Sequence, residues 1–195
     1  MKQLINKLAI RCIAIGIVEE EDLEWFVYGV EKRVTSAIAS VLFLLVAVVL
    51  SDVPTAIIYL TSFYFLRSRT NGYHAKTMTR CLFVSVIIEL FFLLCILPNL
   101  TNNNVYLLNT ISFLIIFIFA PYNHPNMHLS PSEERICQIS SRIRITLLTA
   151  SAFVFCMLGK EWGYAGITLG NTMVAFLLLI AKRNKGEENN EERKT

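Results

Sequence analysis

The chain has 195 residues, of which 54% are hydrophobic and 17% charged, with a net charge of +3 and a mean hydropathy of +0.52. So much apolar residue with so little charge is rare in a soluble domain of this length. The apolar residues also fall in long blocks, so the expected solvent and first partner is a lipid bilayer, and nucleic acid is not an expected partner.

Residues 1–30 carry Lys2, Lys7 and Arg11 among Leu4, Ile5, Leu8 and Ile13, and then the acidic run Glu19-Glu20-Glu21-Asp22. No small-residue cleavage site follows, so the stretch does not read as a signal peptide. It predicts an amphipathic helix lying on the membrane surface, with pairing against another helix as the alternative. Six apolar segments come next, at about 34–50, 53–66, 82–97, 105–120, 143–158 and 162–181. They predict an all-α polytopic transmembrane bundle forming one domain over residues 1–185. Several are shorter than the roughly 20 residues that span a bilayer core. Flanking residues, or a locally thinned bilayer around 53–66, make up the difference.

Charge placement supports six crossings. With the N-terminus cytoplasmic, every Lys and Arg except Lys160 falls on the cytoplasmic side. The outer connections are then Ser51-Asp52, Pro98 to Asn104, and Gly159-Lys160-Glu161. This is the positive-inside pattern and predicts both termini inside, although a four-span variant keeps most of the bias. The last residues, 186–195, mix both charges with Asn and Gly and predict a disordered cytoplasmic tail.

The five cysteines, at 12, 81, 95, 137 and 156, are odd in number and scattered, unlike a disulfide framework. Cys95 and Cys156 lie inside apolar runs, where a thiol usually packs as a small hydrophobe. Cys81 differs. It ends the basic segment 67–81, which also holds Asn71-Gly72 and His74. A histidine and a thiol can form a base and nucleophile pair, because the thiolate is the reactive species.

On one straight helix the seven-residue gap puts His74 and Cys81 about 10.5 Å apart along the axis, beyond hydrogen-bond reach. A dyad therefore requires a turn, which Asn71-Gly72 can supply, and a helix starting just before Cys81, capped by Thr77 or Thr79. The thiol then sits in the first turn of the third span, where the helix dipole and Arg80 favour an anion. The plain alternative is an interfacial His74 and a packing Cys81.

The pattern Arg67, Gly72, His74-Ala75-Lys76, Cys81 resembles that of the accessory gene regulator B (AgrB) family, membrane peptidases that process the precursor of a bacterial quorum-sensing peptide. The likeness continues through Ala120-Pro121 and His124-Pro125-Asn126 and covers nearly the whole chain. The loop after Pro121 departs from the family pattern, with only Arg135, Arg142 and Arg144.

The resemblance implies Cys81 as nucleophile and His74 as general base and later acid. Arg67, Gly72 and Lys76 are the implied supporting residues, with Arg67 pairing a substrate carboxylate. It implies a short precursor peptide as partner, cleavage at the cytoplasmic face of a bacterial membrane, and an acyl-thioester resolved into a thiolactone or lactone ring. It also implies a homodimer and no cofactor.

Glu89 lies eight residues past Cys81, about 12 Å deeper on the same helix. An acid at that depth is a functional candidate, here a supporting one, with protonation or hydrogen bonding inside the bundle as the plain reading. His124, His128 and Cys137 invite a metal, but Pro125 and Pro131 break any helix that would align the imidazoles, and no metal site is predicted. Gly166 and Gly170 form a small-xxx-small pair for close helix packing, or for a dimer contact. The rival readings are a non-enzymatic small transporter or peptide-export scaffold, and a membrane acyltransferase using the same thiol.

Overall fold

The computed structural model describes residues 11–13, 15–16, 19–70, 78–123 and 130–192. Among them the chain is helical, with no strand. A short 3-10 turn leads into α1 (Leu23–Leu50), followed by α2 (Val53–Thr70) and α3 (Met78–Phe91). A π turn (Phe92–Ile96) and a 3-10 turn (Leu97–Asn99) extend α3, before α4 (Asn102–Phe119), α5 (Pro131–Met157) and α6 (Glu161–Glu192). Each expected apolar segment falls on a helix. Four stretches are long and apolar enough to cross a membrane: Arg33–Leu50, Leu82–Asn99, Pro131–Met157 and Glu161–Arg183.

The chain divides into two compact units, Met1–Phe43 and Leu44–Thr195, with the boundary inside α1. In the first unit, Arg11–Ile13 is helical and Gly16 takes a positive φ of 70°. Of the stretch 1–30 expected as amphipathic, residues 1–10, 14, 17 and 18 lie outside the described residues.

In the second unit the helix ends follow from local chemistry. Asp52 caps α2, accepting from the Thr55 N–H at 3.0 Å and from the Thr55 hydroxyl. That hydroxyl holds the Asp52 carboxyl below its ordinary value, against a smaller opposing effect of burial. Ser130 and Glu133 close a capping box at the start of α5, with Pro131 in the first position. The helix therefore begins well ahead of the apolar run 143–158. Pro98 has no N–H for the Leu94 carbonyl, and the chain there widens, with the Leu97 N–H reaching back to Phe92. The Asn99 side chain donates to the Cys95 carbonyl at 2.8 Å. At the other end, α6 runs on through residues 186–192. That stretch holds four Glu, which favour helix, beside Gly186, Asn189 and Asn190, which do not.

Helix α6 is the hub. Within its candidate span 78% is buried, and α2, α4 and α5 all pack on it. Gly166 and Gly170 face α2. A Cβ at Gly166 would stand 2.9 Å from Ile58 Cβ and from the Thr55 carbonyl; one at Gly170, 2.9 Å from Ser62 Cβ and 3.0 Å from Phe63 N. The small-xxx-small pair thus serves packing within the chain.

About 180° around the helix, at roughly 100° per residue, Thr168, Asn171 and Thr172 face α4. Asn171 Nδ2 donates to Asn109 Oδ1 at 2.9 Å, and Asn109 Nδ2 to Thr168 Oγ1 at 2.7 Å. Ser112 donates to Thr172 Oγ1 at 3.3 Å. Numbers rise together across both contacts, so α2 and α4 run parallel to α6. Across α4 and α5 they run oppositely, Arg142 meeting Phe117 and Phe153 meeting Tyr106. Large apolar side chains point outward, among them Phe83, Ile87, Phe91, Ile139, Ile143 and Leu147. Polar inside and apolar outside is the arrangement a bilayer selects.

The glycine seat sets a first test. Gly170→Ala should lower stability in detergent by about 1–3 kcal/mol through overpacking. Gly29→Ala, where an added Cβ meets nothing within 4 Å, should hold or raise it, since Ala favours helix over Gly. Thermal unfolding of both variants checks the contrast, and equal effects would contradict the packing.

Candidate active site

The expected site spans the end of α2, the following connection and the start of α3. Arg67 lies in the last turn of α2, half-buried and engaged with neighbours. Thr70, the last residue of α2, is fully buried, and its carbonyl accepts from the Tyr122 N–H at 3.0 Å. That carbonyl has no partner within its own helix, so the α4–α5 connection supplies one. Gly72, His74 and Lys76 lie outside the described residues, as do His124 and His128. Helix α3 starts at Met78, which puts the Cys81 backbone in its first turn; the Cys81 side chain lies outside the described residues.

Cations gather near the end of α2. Pro121 cannot donate to the Phe117 carbonyl, and Arg142 Nε takes that place at 3.2 Å, its guanidinium 4.7 Å from the Phe117 ring centroid. Arg144 Nη1 donates to the Phe65 carbonyl and, at 2.6 Å, to Ser68 Oγ, with its guanidinium 4.4 Å from the Phe65 ring centroid. Lys182 Nζ stands 4.0 Å from the Phe119 ring centroid. Arg69 lies within electrostatic range of Arg144, as does the half-buried free thiol of Cys137. Sequence reasoning counted these arginines only as loop charges. The proline at 121 was the available signal that a carbonyl one turn earlier needed an outside donor.

Glu89 is fully buried on α3, and among the described residues neither carboxyl oxygen has a hydrogen-bond partner. Tyr59 of α2 is within electrostatic range of it, but the Tyr59 hydroxyl donates to Met173 Sδ at 2.8 Å.

The model of the accessory gene regulator B family matches residues 1–178, and so takes in Arg67, Gly72, His74, Lys76, Cys81 and Glu89. The chain belongs to the accessory gene regulator B family. No curated protein and no solved structure matches it. As a member of the accessory gene regulator B family it is a membrane protein involved in processing a quorum-sensing peptide. The match ends at Leu178, inside α6.

An unpartnered buried carboxyl opposes folding, because its lost hydration goes uncompensated. Replacing it by an apolar side chain of similar volume, Glu89→Met, should raise the unfolding temperature in detergent, by the equivalent of about 1–3 kcal/mol. A fall in that temperature would show that Glu89 has a stabilising partner.

Proposed function

We propose that the chain is a cysteine endopeptidase and peptide cyclase acting on a short precursor at the cytoplasmic face of a bacterial membrane. The observation that carries the reading is the family match over a chain whose Cys81 lies in the first turn of a helix. The positive end of a helix favours an anion there, and the thiolate is the nucleophilic form. Alternating helix directions, with Arg67 and Arg69 in the last turn of α2 and with Arg142 and Lys182 against Phe117 and Phe119 near the end of α4, support six crossings with both termini inside.

In this reading Cys81 attacks the scissile carbonyl. His74 takes the thiol proton and returns it to the leaving amine, so an acyl-thioester forms as the peptide bond breaks. A Cys or Ser side chain of the same substrate then attacks the thioester, freeing Cys81 and closing a thiolactone or lactone ring. Tethering favours this attack over water, since well-oriented intramolecular groups reach effective molarities of roughly 10⁵ M or more. Thiol exchange at the thioester trades like bonds, so loss of the cleaved tail draws the reaction forward. Arg67 pairs a substrate carboxylate, Gly72 and Lys76 shape the connection, and Glu89 is a supporting residue of the site at some cost to stability. A second copy completes a homodimer.

The export-scaffold reading finds no comparable support. The interior polar groups of α4 and α6 largely bond to one another, as interhelical ties do, and do not string along a solute path.

Co-expression of the chain with its precursor peptide, followed by mass, tests the reading. The wild-type chain should yield a product lighter by the cleaved tail, in ring form. Cys81→Ala and His74→Ala, inserted normally, should abolish it, and cleavage by either variant would sink the dyad.

A further inference from the structure

We propose that Arg144 is a positioning residue, fixing the last turn of α2 from which the His74 segment departs. The inference rests on the peptidase reading above and adds a residue that the reading does not contain. Arg144 comes from α5, 76 residues along the chain from Ser68. Its guanidinium makes three contacts with the end of α2: the Phe65 carbonyl, the Ser68 hydroxyl and the face of the Phe65 ring.

A guanidinium holds its donors fixed in a plane whose face can lie on a ring, whereas an ammonium is a point charge with rotating donors and no such plane. The charge also faces the negative end of the α2 dipole. Ser68 turns its own hydroxyl to the Phe65 carbonyl at 3.1 Å, so the three groups form one closed knot.

The knot lies where it controls position. Arg67 is between its two anchor residues. Thr70, two residues past Ser68, is held by the Tyr122 N–H. Two separate elements, α5 and the α4–α5 connection, therefore pin the end of α2 just before the proposed base. Arg69, in the same last turn of α2, also lies within electrostatic range of Arg144.

Alkylation of Cys81 gives a readout independent of peptide substrate. In a chain whose other four cysteines are replaced by Ala, the pH dependence of Cys81 alkylation reports whether a base acts on the thiol. Arg144→Lys should slow turnover about tenfold to a hundredfold with KM little changed, as expected for a displaced catalytic group. It should also displace the alkylation profile while the unfolding midpoint stays near that of the parent. Ser68→Ala, which removes one arm, should act in the same direction and less.

A wild-type profile and turnover in Arg144→Lys would overturn the proposal, as would a parallel loss of stability and activity in both variants with the profile unmoved. His74→Ala separates the two levels. If it leaves the Cys81 profile unchanged, the dyad reading fails; if it moves the profile and Arg144→Lys does not, only the positioning role fails.

Discussion

Lipid offers no hydrogen bonds, and that constraint organises the second unit. A polar group on a spanning helix is costly unless it finds a partner on another helix or on its own backbone. Helix α6 meets this with two opposed faces. Its glycine face lets α2 approach until backbone meets backbone. Its Asn and Thr face ties α4 through Asn109 and Ser112, with Thr168 and Thr172 also bonding back to their own helix at 2.6 and 2.7 Å. Such ties are modest individually in membranes, commonly below about 1 kcal/mol. Their geometry matters more, because together they fix the register of two helices on a third.

The register explains how helices distant in sequence come to share one end of the bundle. Once α2 and α4 both run parallel to α6, their C-terminal turns lie near one another, and each presents carbonyls without partners of their own. Arg142 and Arg144, two residues apart on α5, diverge to serve α4 and α2 respectively. The Tyr122 N–H completes the set at Thr70. Basic residues near these helix ends thus hold the ends of their neighbours.

Much of this was legible in the sequence, but unevenly. The apolar blocks gave the helices because hydropathy over a span is a summed quantity, robust to any one residue. Gly166 and Gly170 were readable as a packing pair, yet nothing in their spacing named α2 as the partner. The start of α5 was hidden by its polar first turns, although Ser130-x-x-Glu133 is a recognisable capping signal. The ties made by Arg142, Arg144 and Tyr122 were not legible, since each joins residues far apart in the chain. Motif spacing sees only neighbours. For the same reason Cys81 could be placed at a helix start from sequence, whereas the partners of Arg67 could not.

Glu89 sharpens the contrast between the two kinds of polar residue in this bundle. The Asn and Thr side chains of α4 and α6 largely answer one another, as residues kept for architecture should. Glu89 is equally buried but unanswered, and the nearby Tyr59 hydroxyl is committed to Met173. A group kept only for packing gains nothing from a carboxyl in such a place. Its cost is borne on α3, the helix whose first turn holds the Cys81 backbone. On the proposed peptidase reading, that cost falls on the same helix as the proposed nucleophile, so a functional use of the carboxyl would offset it.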